Sequence, residues 1–207
     1  MDFPPSSQSR KASALPKALL TTVLVLLITA GAYTKSHAIS LAQIENDIQA
    51  IINNANSNVQ WSVLIENEYG TQTYFDLNSD TPRRPASNTK IFTTAAAFQS
   101  LGASYVWQGY QLGSSSNNSP VHSILTFSNN SQADSLYNLI GGNSTIINEM
   151  SAIGIDMTGA VAFDGSGLNY GNRFTSTQTL EAVKFMDQNY AFSQWSTHLA
   201  VGCATGT

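Results

Sequence analysis

The chain has very few of the residues that hold metals, cofactors and disulfides. Its 207 residues include one cysteine, Cys203, and three histidines. A single cysteine cannot form an internal disulfide, and we expect its thiol to be buried and inert. The histidines at positions 37, 122 and 198 are scattered along the chain, which predicts neither a metal site nor a Ser-His-Asp triad. We therefore expect no cofactor, and we place His122 and His198 at the surface or at strand ends.

Charged residues are also scarce, at 11% of the chain, and the negative sign dominates. Residues 39–207 carry five lysines and arginines against twelve aspartates and glutamates. Such a surface repels the phosphates of nucleic acid, so the composition excludes nucleic-acid binding. The same residues are rich in Ser, Thr, Asn and Gly, which suits a protein that stays soluble outside the cytoplasm.

The N-terminal residues have the pattern of an export signal. Arg10, Lys11 and Lys17 precede a mostly apolar run over 18–32, and Ser36-His37-Ala38 offers small residues where a signal peptidase reads them. We predict that residues 1–38 are a signal peptide, or a signal anchor that attaches to the membrane through 18–32. Residues 39–207 then form one exported domain, periplasmic or extracytoplasmic.

The most informative tetrapeptide is Ser87-Asn88-Thr89-Lys90. Pro85 stops a helix from entering from upstream, and the apolar residues that follow have helical spacing up to Leu101, before Gly102. A serine three residues before a lysine at the start of a helix places hydroxyl and amine on one face. In this arrangement an amine activates a serine nucleophile without histidine. The alternative is an N-capping serine followed by a solvated lysine.

A second polar triplet, Ser128-Asn129-Asn130, is the candidate partner of this serine. The triplets at 115–117 and 116–118 have the same Ser-x-Asn form, but only Ser128 follows an apolar segment and opens a helical pattern that ends before Gly141. A hydroxyl here suits proton relay, and an asparagine amide suits binding of a peptide backbone. Loop structure without a function is the alternative.

Helical and strand patterns alternate along the rest of the chain. Helical spacing begins at Leu41, follows the two polar motifs, and covers Ile146 to Ile153, while period-two alternation predicts a hairpin over 61–77. Short strands are predicted at 107–110 and 157–163, and Thr175 and Gln178 have the spacing of a capping box before a last helix. This order predicts an α+β fold in which an antiparallel sheet has flanking helices.

Four segments together resemble the penicillin-binding D-alanyl-D-alanine carboxypeptidases/endopeptidases of low molecular mass, in the serine β-lactamase superfamily. They are Pro85 to Lys90 with Thr93 to Ala97, Ser128 to Asn130 with Ala133-Asp134, Asp164 to Leu168 with Asn172 to Thr175, and Leu199 to Val201 leading to Gly206-Thr207. The resemblance spans most of residues 41–207 and implies a β-lactamase/transpeptidase-like fold.

The resemblance also implies acyl transfer on the stem peptide of peptidoglycan. Ser87 would attack the carbonyl carbon, and Lys90 would take its proton. Ser128 would pass that proton to the departing amine, and Asn130 would bind the amide of the substrate. The backbone N–H of Ser87 would supply half of an oxyanion hole, and β-lactam antibiotics would acylate the same serine.

Two features depart from the pattern of the family. Only 37 residues separate Lys90 from Ser128, where relatives often carry inserted domains in surface loops. The Lys-Thr-Gly motif of the family is not found, since Ala204-Thr205-Gly206-Thr207 has alanine in place of lysine and aligns better with a segment ahead of that motif. We therefore expect a domain truncated at its C-terminus, before the Lys-Thr-Gly strand.

Two further functions stay open beside the peptidase. One is an inactive remnant, or a module that binds wall peptides without turnover, which the missing strand favours. The other is a serine β-lactamase, which needs a glutamate to drive water onto the acyl-enzyme. Glu149 is the only acid between Asp134 and Asp156, and Ile153 stands where an asparagine usually accompanies that glutamate, so the β-lactamase hypothesis is the weaker one.

Overall fold

The computed structural model describes residues 40–55, 58–202 and 204. Its contacts divide the chain into two units, residues 1–43 and 44–207. The predicted export signal lies outside the described residues, and so do Cys203 and residues 205–207. Among the helices of the described ranges, none has both the length and the apolar composition needed to cross a membrane.

A helix and a hairpin form the first elements, as predicted. Helix α1 (Leu41–Asn54) is followed by strands β1 (Val63–Glu66) and β2 (Thr73–Leu77). The strands are antiparallel, with Val63 opposite Leu77 and Ile65 opposite Phe75. In the turn between them, the Asn67 Oδ1 atom accepts the backbone N–H groups of Thr71 and Gln72 at 2.9 and 3.2 Å. At the hairpin tip, the Asn67 side chain thus accepts backbone N–H groups that have no partner strand to bond to.

A buried helix forms the centre of the core. A 3₁₀ turn (Ala86–Asn88) leads into α2 (Thr89–Leu101), where Phe92, Phe98 and the alanines at 95–97 are at most 1% exposed. The small alanine side chains let neighbouring helix backbones approach α2 closely. Four helices pack on α2: α3 (Pro120–Thr126), α4 (Asn130–Ile140), α5 (Asn143–Ala152) and α6 (Ser176–Gln188).

The last two helices are held by specific hydrogen bonds. The predicted capping box at the start of α6 is confirmed, because the Thr175 side chain accepts from Gln178 N and the Gln178 side chain accepts from Thr175 N, each at 2.9 Å. A second 3₁₀ turn (Tyr190–Phe192) leads into the short helix α7 (Ser193–Ser196). Within α7, the fully buried Trp195 donates its indole N–H to Thr94 Oγ1 at 2.8 Å. This bond ties the C-terminal region to α2.

Two predicted strands are wrong in detail. The segment 107–110 is a tight hairpin of strands β3 (Val106–Trp107) and β4 (Tyr110–Gln111), in which Gln108 and Gly109 take positive φ values of 52° and 86°. Two such residues reverse the chain within a two-residue turn. Residues 157–163 form a turn, with only an isolated bridge between Val161 and Arg173. Met157 and Ala162 are buried there, but Phe163 is 60% exposed, and within the described residues no strand lies beside the segment to extend the ladder. The α+β class itself is confirmed.

Candidate active site

Ser87 lies in the 3₁₀ turn that precedes α2, with its side chain at the surface. The residue before it, Ala86, has a φ of 49°, which is unusual for a residue with a side chain. The carbonyl of Ala86 accepts the hydroxyl of Thr89 at 2.9 Å, which holds this conformation. Asn88 is the N-cap residue of α2, and its side chain makes no capping hydrogen bond. The alternative of an N-capping Ser87 is therefore wrong.

Lys90 is buried on the first turn of α2, with 2% of its surface exposed. Its Nζ atom donates hydrogen bonds to Ser87 Oγ at 3.2 Å, to Asn130 Oδ1 at 2.8 Å and to the carbonyl of Ser166 at 2.7 Å. Burial lowers the pKa of this amine, because it penalises the charged form, while the nearby carboxylates of Asp134 and Asp164 act in the opposite sense. A solvated lysine, the second part of the alternative, is also wrong.

The Ser128-Asn129-Asn130 triplet meets this pair from the start of α4. Asn129 is the N-cap residue, and its side chain accepts from Gln132 N at 3.1 Å. The two residues beside it are then directed toward the α2 site, where Ser128 Oγ lies 3.0 Å from Ser87 Oγ and Asn130 contacts Lys90. Ser128 has a φ of 55°, so its backbone is also in a sparsely populated conformation. All four residues that the sequence singled out are thus brought together.

The glycine-rich loop at 164–168 completes the surroundings of Lys90, which the sequence reasoning did not foresee. Asp134 Oδ1, one turn after Asn130 on α4, accepts the backbone N–H groups of Gly165 and Ser166 at 3.0 and 2.8 Å. These bonds present the Ser166 carbonyl to Lys90. The sequence did contain a signal for the position of Asp134, because it lies four residues after Asn130 and therefore on the same helical face.

Two glycines of this loop are packed too tightly for any side chain. A Cβ on Gly165 would lie 2.4 Å from the carbonyl oxygen of Ala133, and one on Gly167 would lie 1.7 Å from that of Ala86. Both distances are far below van der Waals contact, so only glycine fits at either place. The loop is wedged between α4 and the peptide bond that precedes Ser87, and it therefore determines where Ser87 sits.

Asp164 holds the other end of the loop. Its carboxylate accepts from Asn172 Nδ2 and Gly167 N at 2.7 and 2.8 Å, and from Asn169 N at 2.6 Å. Burial alone would raise the pKa of this carboxyl, but the hydrogen bonds to its charged form outweigh burial and lower the pKa. Asn172, itself fully buried, also donates to Thr89 Oγ1 at 3.4 Å. The loop is thereby connected to the first turn of α2.

The histidines correct another prediction, because His122 and His198 form a pair. Their rings lie 5.4 Å apart, their Nδ1 atoms are 3.3 Å apart, and His198 is 1% exposed. The two residues meet because the segment that follows α7 packs against α3, which no local pattern reveals. In the described ranges, no three His, Cys, Asp or Glu side chains are grouped as metal ligands would be.

Glu149, the candidate of the β-lactamase hypothesis, lies on α5. Among the described residues it makes no hydrogen bond with Ser87, Lys90 or Ser128. The arrangement therefore provides a serine hydroxyl between an amine and a second hydroxyl, which is the chemistry of nucleophilic acyl transfer.

The sequence is similar to one known family and to a solved structure. The model of the D-Ala-D-Ala carboxypeptidase 3 (S13) family matches residues 44–120 and 112–207. Among solved structures, a D-alanyl-D-alanine carboxypeptidase from Mycobacterium tuberculosis H37Rv is similar, with 16% sequence identity and a TM-score of 0.49. The alignment covers 67% of this chain and 62% of that one, so the chain spans about 62% of the length of this relative. No curated protein matches the sequence significantly.

Proposed function

Because the chain belongs to the D-Ala-D-Ala carboxypeptidase 3 (S13) family, we propose that it is a serine-type D-Ala-D-Ala carboxypeptidase/endopeptidase acting on peptidoglycan stem peptides. One observation carries the proposal: Ser87 Oγ lies 3.2 Å from Lys90 Nζ and 3.0 Å from Ser128 Oγ. The nucleophile therefore has a base on one side and a relay on the other. The reaction needs no metal or cofactor.

The contacts of Lys90 support its role as the base. Asn130 Oδ1 and the Ser166 carbonyl can only accept hydrogen bonds, whereas Ser87 Oγ can both donate and accept. A neutral amine has two hydrogens and one lone pair. If the two hydrogens stay on the obligate acceptors, at 2.8 and 2.7 Å, the lone pair is left facing Ser87. The lowered pKa of Lys90 increases the fraction of the amine in this neutral form.

The proposed reaction has two halves. Ser87 Oγ attacks the carbonyl carbon of the penultimate D-alanine, and its proton moves to Lys90 Nζ. The peptide C–N bond breaks as Ser128 transfers a proton to the departing amine and is reprotonated from Lys90, which leaves an ester on Ser87. Water then attacks the ester carbon and gives one proton to Lys90 Nζ. The ester bond to Ser87 Oγ breaks as that proton returns to Ser87, which restores the hydroxyl and releases the shortened peptide with a new C-terminal carboxyl group.

The backbone N–H of Ser87 is proposed as a donor to the developing oxyanion. Within the described residues this N–H makes no hydrogen bond, so it is free to bind a substrate oxygen. A single donor of this kind typically lowers an acyl-transfer barrier by about 3 kcal/mol. The tight packing of Gly167 against the Ala86–Ser87 peptide keeps the donor in place. We place this chemistry outside the cytoplasm, since residues 1–38 have the pattern of an export signal or membrane anchor.

Labelling with a fluorescent penicillin tests the proposal. A β-lactam presents a strained amide to Ser87, and we expect a covalent adduct that persists through denaturing electrophoresis. The adduct should be lost in Ser87→Ala and retained in Ser131→Ala, which removes an exposed hydroxyl from α4. Equal labelling of both variants would reject Ser87 as the nucleophile. No labelling of the folded wild type would favour a wall-peptide-binding module, and rapid release of the penicilloyl group would favour a β-lactamase.

A further inference from the structure

Three of the five basic residues in 39–207 lie around a single pocket. The pocket has a volume of about 430 Å³ and is lined by Gln60, Pro82, Arg83, Arg84, Tyr170 and Arg173. Grouping like charges costs free energy unless something of opposite charge is present for part of the time. Acidic residues outnumber basic ones by twelve to five over 39–207, yet among the described residues no acidic side chain lines this pocket.

No carboxylate of the described residues pairs with these three guanidinium groups. The ion pair that the described ranges contain joins Lys184 to Glu66, away from the pocket. The arginines are held by other means. Arg84 stacks on the ring of Tyr170, with its central carbon 3.4 Å from the ring centroid. Stacking uses the face of a guanidinium and leaves its N–H edges free to donate.

The other two arginines are fixed by uncharged acceptors. Arg173 donates through one nitrogen to the carbonyls of Tyr170 and Asn172, both at 2.7 Å. Arg83 donates to Gln60 Oε1 at 2.7 Å, while its buried Nε atom has no hydrogen-bond partner. A buried N–H donor without an acceptor costs free energy of folding. The guanidinium groups also keep further N–H donors, which a planar anion can accept in pairs.

The pocket is connected to the candidate nucleophile on both sides. Arg84 precedes Ser87 by three residues, so their Cα atoms are at most about 11 Å apart. Tyr170 follows Gly167 by three residues, and Gly167 packs on the Ala86–Ser87 peptide. An extended peptide advances about 3.3 Å per residue, so a side chain two to four residues before the scissile bond lies within reach.

We infer that this arginine pocket binds a carboxylate carried by the peptide substrate near its scissile bond, and so selects acidic wall peptides. The inference rests on the proposed function. A carboxylate is planar and takes two parallel N–H donors from one guanidinium, which matches the free edges of Arg84 and Arg173.

Synthetic peptides ending in D-Ala-D-Ala test the inference. Three of them carry one side-chain carboxylate, at the second, third or fourth residue before the scissile bond, and the fourth has carboxamide side chains at all three positions. We expect at least one acidic peptide to exceed the carboxamide peptide about tenfold in kcat/KM at low salt. Arg84→Gln and Arg173→Gln should abolish this preference. Lys184→Gln, which removes a positive charge outside the pocket, should retain it.

Equal use of acidic and carboxamide peptides by the wild type would overturn the inference. So would a preference that survives in both arginine variants. Arg84→Lys keeps the charge but not the paired donors, and it should give an intermediate preference. If the protein neither cleaves any peptide nor reacts with penicillin, the proposed function fails, and equilibrium binding of the same peptides decides the pocket separately. Tighter binding of an acidic peptide that is lost in Arg84→Gln supports the pocket, and equal binding of all four rejects it.

Discussion

At the residue scale, the protonation of Lys90 decides whether Ser87 has a base. Three acceptors satisfy an ammonium at this position, and burial opposes the same charge. The charged form is therefore tolerated but less favoured than in water, so the amine can lose its proton without losing its position. A lysine at the surface would have neither property, because water would stabilise its charge and its chain would be free to move.

Substituting Asp134 tests this balance. Asp134→Asn keeps the Oδ1 atom that accepts from Gly165 and Ser166, but it removes a negative charge that raises the pKa of Lys90. The pKa of Lys90 should then fall further, so the rise in penicillin acylation with pH should move to lower pH. Acylation rates measured from pH 5 to 10 would show the shift. Asp187→Asn, an exposed change on α6, should leave the profile in place, and a shift toward higher pH in Asp134→Asn would contradict the account.

At the scale of elements, the loop at 164–168 positions the nucleophile by direct contact. It joins three elements. Gly165 packs against α4, Gly167 packs against the 3₁₀ turn, and the Ser166 carbonyl accepts a hydrogen bond from Lys90 on α2. Backbone contacts of this kind leave little room for adjustment, because moving the loop would move its partners as well.

We expect Gly167→Ala to lower the rate of penicillin acylation by much more than a substitution that only strains a left-handed backbone. The new Cβ would lie 1.7 Å from Ala86 O and would displace Ser87, and a displacement of about 1 Å can cost a hundredfold in rate. Gly154→Ala is the matched control, because Gly154 also has a positive φ, 95°, but has no atom within 4 Å of the added Cβ. Both variants should lose about 1–2 kcal/mol from the left-handed backbone. Equal acylation rates in the two variants would show that the contact is unimportant.

At the scale of the whole molecule, the histidine pair joins α3 to the segment that follows α7. The Nε2 atom of His198 lies 2.8 Å from the carbonyl of Ser114, so this nitrogen carries the proton and Nδ1 is an acceptor. The Thr126 hydroxyl donates its proton to the carbonyl of His198 at 2.6 Å, so its oxygen is an acceptor toward His122. The N–H at Nδ1 of His122 therefore donates to two acceptors, Thr126 Oγ1 at 3.1 Å and His198 Nδ1 at 3.3 Å. A proton added to Nδ1 of His198 would face the N–H at Nδ1 of His122, and the hydrogen bond between the two rings would be lost.

This pair predicts a loss of stability in mild acid. Burial is the main cause that lowers the pKa of His198 below its usual 6.5, with a smaller contribution from His122. The unfolded chain therefore takes up a proton as the pH falls through about 6.5, before the folded chain does, and the free energy of unfolding should fall by up to about 1.4 kcal/mol per pH unit in that window. Urea titrations between pH 8 and 5 measure the slope. His198→Phe should be less stable at pH 8 but should have a flatter slope, and an unchanged slope would contradict the assignment.

The candidate site was predictable where its signals are local or belong to the family pattern. The spacing of Ser87 and Lys90 and the capping box at Thr175 are local, and the family resemblance placed Ser128 and Asn130 with Ser87. The other meetings of distant segments were not predicted. Asp134 acts through a loop thirty residues away, and the arginine pocket joins residues before α2 to residues after the glycine loop. The strand predicted at 157–163 failed for the same reason, since a strand requires a neighbour that its own sequence does not contain.

The sequence by itself determined the chemical types present, the helices that carry them, the shortage of metal ligands, and the family to which the chain belongs. Tertiary structure alone decided that Lys90 is buried, that the Ser166 carbonyl and Asn130 occupy two of its three contacts, and that His122 meets His198. The physical reason is that helix periodicity arises from contacts three and four residues apart, whereas burial, desolvation and proton sharing depend on groups brought together by packing of the whole core.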